Sequence, residues 1–505
     1  MKLDHTLRQM KQWIVSLSLS NVRETVAQLH EAIASQNQLL LSNEDRVDLL
    51  ETYRDLADEI LMSYDDITLR TLPLEPEQRG KLSQSITEIF LSLSRAYRIV
   101  IERAAAEHET PGESGWLLLA TYRAIEYLAL AALYSCKLRA DIPAVVWSTS
   151  KQLYRFAERH AVTDKKIRKA VGHAVTPTIE TLFKQLLLFA ISDPYRWPSA
   201  EVHELFISLE TYAPSVLITA SAASPGGPVY QLDMENDAAP HLLAMDTVPS
   251  ITASMRWVDC TPALAHIKQV IENSGSSVDA LIHEREGRLL AEFYKRMRAP
   301  RTRSESRTAT HHAARIAVGL EASCYFLSEP ERAHRDKQCR IVSGIEVCED
   351  DNAFEMTEWT AVNENHNGYM LVADAETAHA EPPVGELFVL ADHDIHGVPR
   401  LRIGLVRWVR KRKSASLSIG VEILEGEPQP ACVRTLTSTP STTTTAIFFP
   451  ARDGRSPALL VPGQLYAPAA TVSVEIGAEN KLLDMDLPLA ESPLYILAAV
   501  FPAKC

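Results

Sequence analysis

The apolar residues of this chain change their spacing once along its length, and that change governs what it can fold into. From residue 1 to about 212 they recur three to four apart with few glycines, the period of helices that bury one face. Leu49, Leu50, Tyr53, Leu56 and Ile60 make one such stripe; Ile86, Ile89, Phe90, Leu93 and Tyr97 make another. Ser42-Asn43-Glu44-Asp45 supplies a helix start, and the prolines of 73–76 a break. From about residue 301 onward, β-branched and aromatic runs alternate with Gly, Pro, Asn and Asp turns. Strands are expected at 315–326, 354–363, 368–373, 387–392, 400–410 and 416–424, and many short strands without a long intervening helix favour a small barrel.

The expected fold is therefore multidomain α+β. A helical bundle or solenoid over 1–215 is followed by a mixed connector over 216–299, marked by the small residues, Gly226-Gly227 and prolines of 213–228. In the connector, 229–232 and 251–258 read as extended, and 262–273 and 277–297 as helical. A barrel over 300–428 comes next, and 429–505 is either a further β unit or the completion of that barrel. Extended segments are expected there at 446–450, 459–461 and 472–476.

At 505 residues the chain exceeds one ordinary core, and 46% hydrophobic with 23% charged residues is a folded composition. The net charge of -14 argues against DNA, RNA or an anionic membrane as a general partner, so an anionic ligand needs a local basic patch. Seven cysteines with no Cys-x-x-Cys read as reduced thiols of a cytoplasmic protein. Asp4, Arg8 and Lys11 interrupt the stretch that a signal peptide would keep apolar. The most apolar segment, 116–138, contains Arg123 and Glu126, which suits a buried core helix rather than a transmembrane segment.

The local basic patch exists. Lys295, Arg296, Arg298, Arg301, Arg303 and Arg307 fall within thirteen positions holding a single acid, Glu305. Lys295, Arg296 and Arg298 equally suit a helix end, where cations complement the dipole. Arg303 and Arg307 lie past Pro300, where helix is disfavoured, and form an Arg-x-x-x-Arg box. A guanidinium can fork onto the O6 and N7 of guanine, stack on its ring or grip phosphate oxygens; a lysine cannot reproduce that geometry. About sixty residues later come Asn363, Asn365 and Gly368, two amides that donate and accept beside a glycine that permits close approach. Alone, that stretch is also ordinary hairpin-turn chemistry.

The order of these motifs resembles the PilZ domains that bind cyclic di-GMP. Their pattern is Arg-x-x-x-Arg, then Asp/Asn-x-Ser-x-x-Gly on a strand and turn, then a closing hairpin. Here Arg303 and Arg307, then Asn363, Asn365 and Gly368, then Gly404-Leu405-Val406-Arg407-Trp408-Val409 with Ile419-Gly420-Val421-Glu422-Ile423-Leu424 take those places. Asn365 stands where the family has serine, and the segment between the motifs, including 328–352, is longer than a compact family barrel needs. The resemblance covers about 300–426. It implies that Arg303 and Arg307 engage guanine and phosphate while Asn363, Asn365 and Gly368 line the barrel face. It further implies a bacterial receptor of a class that governs motility, attachment, pili or exopolysaccharide; the helical domain, outside the resemblance, is expected to contact the protein partner.

Other motifs point elsewhere less specifically. Asp392, His393, Asp394 and His396 read as a polar turn rather than a metal cluster, and no metal or cofactor is expected. Arg410-Lys411-Arg412-Lys413 reads as a solvated hairpin tip, and His311-His312 lies close to the arginine box. No P-loop, nucleophile elbow or His-Glu-x-x-His helix is present, so a reader of the signal is expected rather than an enzyme. The competing reading, motivated by Asn365, is a scaffold whose barrel has lost its nucleotide.

Overall fold

The computed structural model describes residues 12–13, 22–36, 38, 41–54, 76–112, 114–168, 173–220, 228–242, 252–273, 280–298, 308–334, 338–342, 345–349, 353–374, 381–393, 399–411, 416–436, 443–452 and 454–503. The chain divides into two compact units, one comprising 1–194 and 199–302, the other 195–198 and 303–505.

In the first unit the helices α1 (Val22–Gln36), α2 (Pro76–Ala106), α3 (Gly115–Lys137), α4 (Ala144–Arg159), α5 (Ile179–Ile191) and α6 (Ser199–Tyr212) follow one another, with residues 43–54 also helical. Their starts obey the sequence. The Ser42 hydroxyl accepts from the backbone N–H of Asp45, and Thr178 and Thr181 form a reciprocal capping box at α5. The α2 stripe Ile86, Ile89, Phe90, Leu93 and Tyr97 is buried, as are Leu49, Leu50 and Tyr53; Leu56 and Ile60 lie outside the described residues. Phe90 packs on Tyr134 of α3 with ring centroids 5.4 Å apart. By length and composition α3 is apolar enough to cross a membrane, and 78% of its most apolar window is buried inside the fold.

Arg123 can sit fully buried in α3 because Glu51 grips it at 3.0 and 3.1 Å and Glu126 at 2.7 Å, while Tyr97 donates to the same Glu51. After α6 the connector folds as a sheet of β1 (Leu217–Thr219), β2 (Val229–Asp233), β3 (His241–Leu242) and β4 (Met255–Asp259), in the order β1-β4-β2-β3. Helices α7 (Thr261–Asn273) and α8 (Ala280–Arg298) follow. The buried Lys151 of α4 joins helix to sheet, its ammonium donating to the carbonyls of Asp233 and Ala238 and the side-chain oxygen of Asn236. Lys295, Arg296 and Arg298 occupy the last turn of α8, as a helix end favours.

The second unit holds two closed six-stranded antiparallel barrels, so the chain is multidomain α+β. The first consists of β5 (Thr308–Val318), β8 (Thr357–Asn365), β9 (Gly368–Asp374), β10 (Leu387–His393), β11 (Pro399–Lys411) and β12 (Ser416–Ile423). A separate hairpin, β6 (Gln338–Val342) with β7 (Ile345–Glu349), falls within the long segment between the motifs. The second barrel consists of β13 (Gln429–Thr435), β14 (Thr443–Phe449), β15 (Ala458–Pro462), β16 (Thr471–Ile476), β17 (Glu479–Glu491) and β18 (Tyr495–Pro502). It closes on itself through β13 and β16, so the C-terminal segment is a barrel of its own rather than completion of the first.

The strand expected over 315–326 stops short. Gly319 adopts φ +105, and helix α9 (Leu320–Ser328) begins immediately after it. This helix explains why several strands read as unbroken apolar runs. Phe388 and Leu390 point into the first barrel with Ile316, Trp359 and Leu371. Their neighbours Leu387 and Val389 point outward into a shared core with Leu320 and Phe326 of α9 and Ile447, Phe449, Leu460 and Leu497 of the second barrel. Both faces of such strands are buried, and each large apolar side chain contributes roughly 1.5–3 kcal/mol.

Candidate functional site

The motif strands meet by register. In the β5–β8 ladder Thr308 stands opposite Glu364 and Ala309 opposite Asn363. Asn365 and Gly368 then pair across the two-residue turn His366-Asn367 that joins β8 to β9. Arg303 and Arg307 lie outside the described residues, which begin again at Thr308, the first residue of β5.

Each of the three described motif residues has a distinct place. Asn365 lines a groove of about 630 Å³ together with Thr308, Glu364, His366 and Tyr369. That volume is within the range of small-molecule sites, roughly 300–1,000 Å³. Asn363, half-buried, donates through Nδ2 to the Met370 sulfur at 3.4 Å. Gly368 is buried, and a Cβ there would come within 2.3 Å of the Val421 carbonyl oxygen. The glycine is demanded by the approach of the β12 backbone, which in turn holds the asparagine turn at the groove.

The rest of the groove was not foreseen from the motifs. Arg400 and Arg402, two apart on β11 and so on one face, line it, and Arg455 joins them from the second barrel. The Arg402 guanidinium lies 4.8 Å from the centroid of the Tyr369 ring. Burial pulls the Arg402 pKa down to about 10, against which the nearby Glu364 carboxylate favours the charged form. The side chain therefore remains a guanidinium at neutral pH. Tyr369 is 4% exposed and also meets the edge of His312, ring centroids 6.4 Å apart. Three arginines against the carboxylates of Glu364 and Glu425 give this acidic protein a locally cationic recess with one aromatic wall. The sequence signal for it was the Arg-Leu-Arg alternation at the start of β11.

The closing hairpin β11–β12 sets Trp408 opposite Gly420, the indole packing directly against the glycine. His393 ends β10, and 394–398 lie outside the described residues. Among the described residues no three His, Cys, Asp or Glu side chains gather as a metal site.

Arginines for phosphate or guanine edges, an aromatic wall and the Asn365 amide make the groove a candidate receptor site for an anionic, base-bearing ligand. Residues 8–223, under half of the chain and spanning its helical region through β1, match the family model described as Cyclic-di-GMP receptor FimW, N-terminal domain. Among curated proteins the chain is similar to the Cyclic-di-GMP receptor FimW of Pseudomonas aeruginosa, 21% identical over 330 residues. That alignment takes in 64% of this chain and 54% of the relative, so the chain spans about half of the relative's length. Among solved structures, one described as "MrkH, A novel c-di-GMP dependence transcription regulatory factor" matches at a TM-score of 0.13 and 11% identity, over 39% of this chain and 90% of that one. At that score it bears on neither fold nor function.

Proposed function

We propose that the chain is a cyclic di-GMP receptor rather than an enzyme, reading the nucleotide in the groove of the first barrel, which is PilZ-like in its motif order. Arg303 and Arg307 engage guanine and phosphate, Asn365 lines the groove with Asn363 and Gly368 on the same strand-and-turn, and Arg402 and Tyr369 supply its cation and its aromatic wall. The observation that carries this reading is the register of Thr308 opposite Glu364, which brings the residue bonded to Arg307 to the lip that Asn365 lines. The similarity to a cyclic-di-GMP receptor supports the ligand. The helical unit is the surface for a protein partner in the cytoplasm, since a net charge of -14 disfavours nucleic acid. The output belongs to motility, attachment, pili or exopolysaccharide.

Calorimetric titration of the full chain with cyclic di-GMP tests it. Binding is expected in the unaltered protein and its loss in Arg303→Ala with Arg307→Ala. Absence of heat at tens of micromolar ligand, or unchanged binding in the double variant, would sink the reading. The alternative, a scaffold with a degenerate barrel, is favoured by Asn365 in the place of the family serine, and it predicts no binding in either protein.

A further inference from the structure

The segment between the barrels forms part of the groove. Leu424, Glu425 and Gly426 lead from β12 to β13, and all three line it. This linker is held on its far side by one turn of the second barrel. Arg452 and Arg455 stand at the two ends of that turn, where the Arg455 N–H donates to the Arg452 carbonyl at 2.9 Å and Gly454 takes φ +79. Arg452 pairs with Glu427 and Arg455 with Glu425. On its other side Glu425 lies 3.7 Å from Nδ1 of His366, in the same turn as Asn365. One carboxylate thus connects the motif turn of the first barrel to an arginine of the second.

Arg455 is solvent-facing, with 60% of its side chain exposed, and it shares the groove with Arg400 and Arg402. An exposed ion pair such as Arg455–Glu425 is weak, so an arriving phosphate can displace the carboxylate at small cost. A phosphodiester offers oxygens that the guanidinium fork takes as readily as a carboxylate.

Resting on the reading of the groove as a cyclic-dinucleotide site, we propose that Arg455 is a ligand-contacting residue supplied by the second barrel, which leaves Glu425 for a ligand phosphate when nucleotide binds. The exchange loosens the linker at Glu425 and ties the turn 452–455 to the nucleotide. Occupancy of the first barrel is thereby registered on the second.

Full-length protein is titrated with cyclic di-GMP as Arg455→Ala, Glu425→Gln, the double variant, and Arg303→Ala with Arg307→Ala; tryptic cleavage after Arg455 is followed with and without ligand. Expected are about tenfold weaker binding in Arg455→Ala, several-fold tighter binding in Glu425→Gln that disappears in the double variant, and slower cleavage after Arg455 with ligand bound. Unchanged binding in Arg455→Ala, with binding abolished in Arg303→Ala plus Arg307→Ala, would overturn the role of Arg455 and leave the receptor reading standing. Weaker binding in Arg455→Ala with no gain in Glu425→Gln would overturn the exchange. No binding by the unaltered protein would overturn both.

Discussion

The guanidinium of Arg402 lies over the ring of Tyr369, 4.8 Å from its centroid, on the floor of the groove. The pair joins a cation for phosphate or guanine to an aromatic face, and the stacking contributes about 0.5–2 kcal/mol in a half-buried setting. Arg402→Ala is expected to weaken cyclic di-GMP binding about tenfold or more while the thermal midpoint moves little. Arg402→Lys should not restore affinity, because an ammonium lacks the planar fork. Calorimetry and a melting curve on the same preparations separate the two effects.

Asn365 and Gly368 should respond in opposite ways. Asn365→Ala is expected to lower affinity several-fold with the barrel intact, whereas Asn365→Ser is expected to bind at least as tightly as the natural side chain. Gly368→Ala forces a Cβ to within 2.3 Å of the Val421 carbonyl and should destabilise the barrel by about 1–3 kcal/mol. Denaturant unfolding would detect that loss without any ligand present.

The buried Arg123 bonds to Glu51 and Glu126 within the helical unit. Arg123→Met leaves both carboxylates facing a site without its cation, and the cost is expected at roughly 3 kcal/mol, the lower end for a broken buried pair because both glutamates keep some contact with water. A lowered thermal midpoint of the helical unit, with cyclic di-GMP affinity unchanged, is the expected pattern.

Burial pushes the Cys324 thiol up to about 12 and raises the Cys260 thiol further still. Both folded pKa values lie above the ordinary thiol value of 9.0, so the stability they contribute is complete below pH 9, and that of Cys324 is lost as pH rises through about 12. At pH 8.5, alkylation mapped by peptide mass spectrometry should modify the exposed Cys432 and spare Cys136, Cys260 and Cys324. Rapid modification of Cys324 would contradict its place in the shared core.

The helical half and most strands of the first barrel were legible because their apolar residues kept one period or, as in β10 and β12, ran as short apolar stretches between turns. Readings failed where the pattern left no clean boundary or alternation. The run from Arg315 to Phe326 showed no period to separate strand from helix, and only Gly319 marks where β5 ends and α9 begins. β17 went unread because acids and Pro488 break its alternation, with register shifts between Met485 and Ala490. In the groove, the asparagine turn was visible as a local motif. Arg402 meets it only because the barrel closes, and Arg455 only because a second barrel packs alongside, and neither relation leaves a trace at fixed spacing.

The apolar layer around α9 belongs to both barrels at once, since Leu320 and Phe326 share it with Leu387 and Val389 on one side and Phe449 and Leu460 on the other. Neither barrel therefore owns a complete hydrophobic exterior. Severing the chain near Pro428 would bare that layer on both fragments and invite aggregation, so a soluble sensor fragment for biophysics should begin near Arg303 and carry every strand through β18.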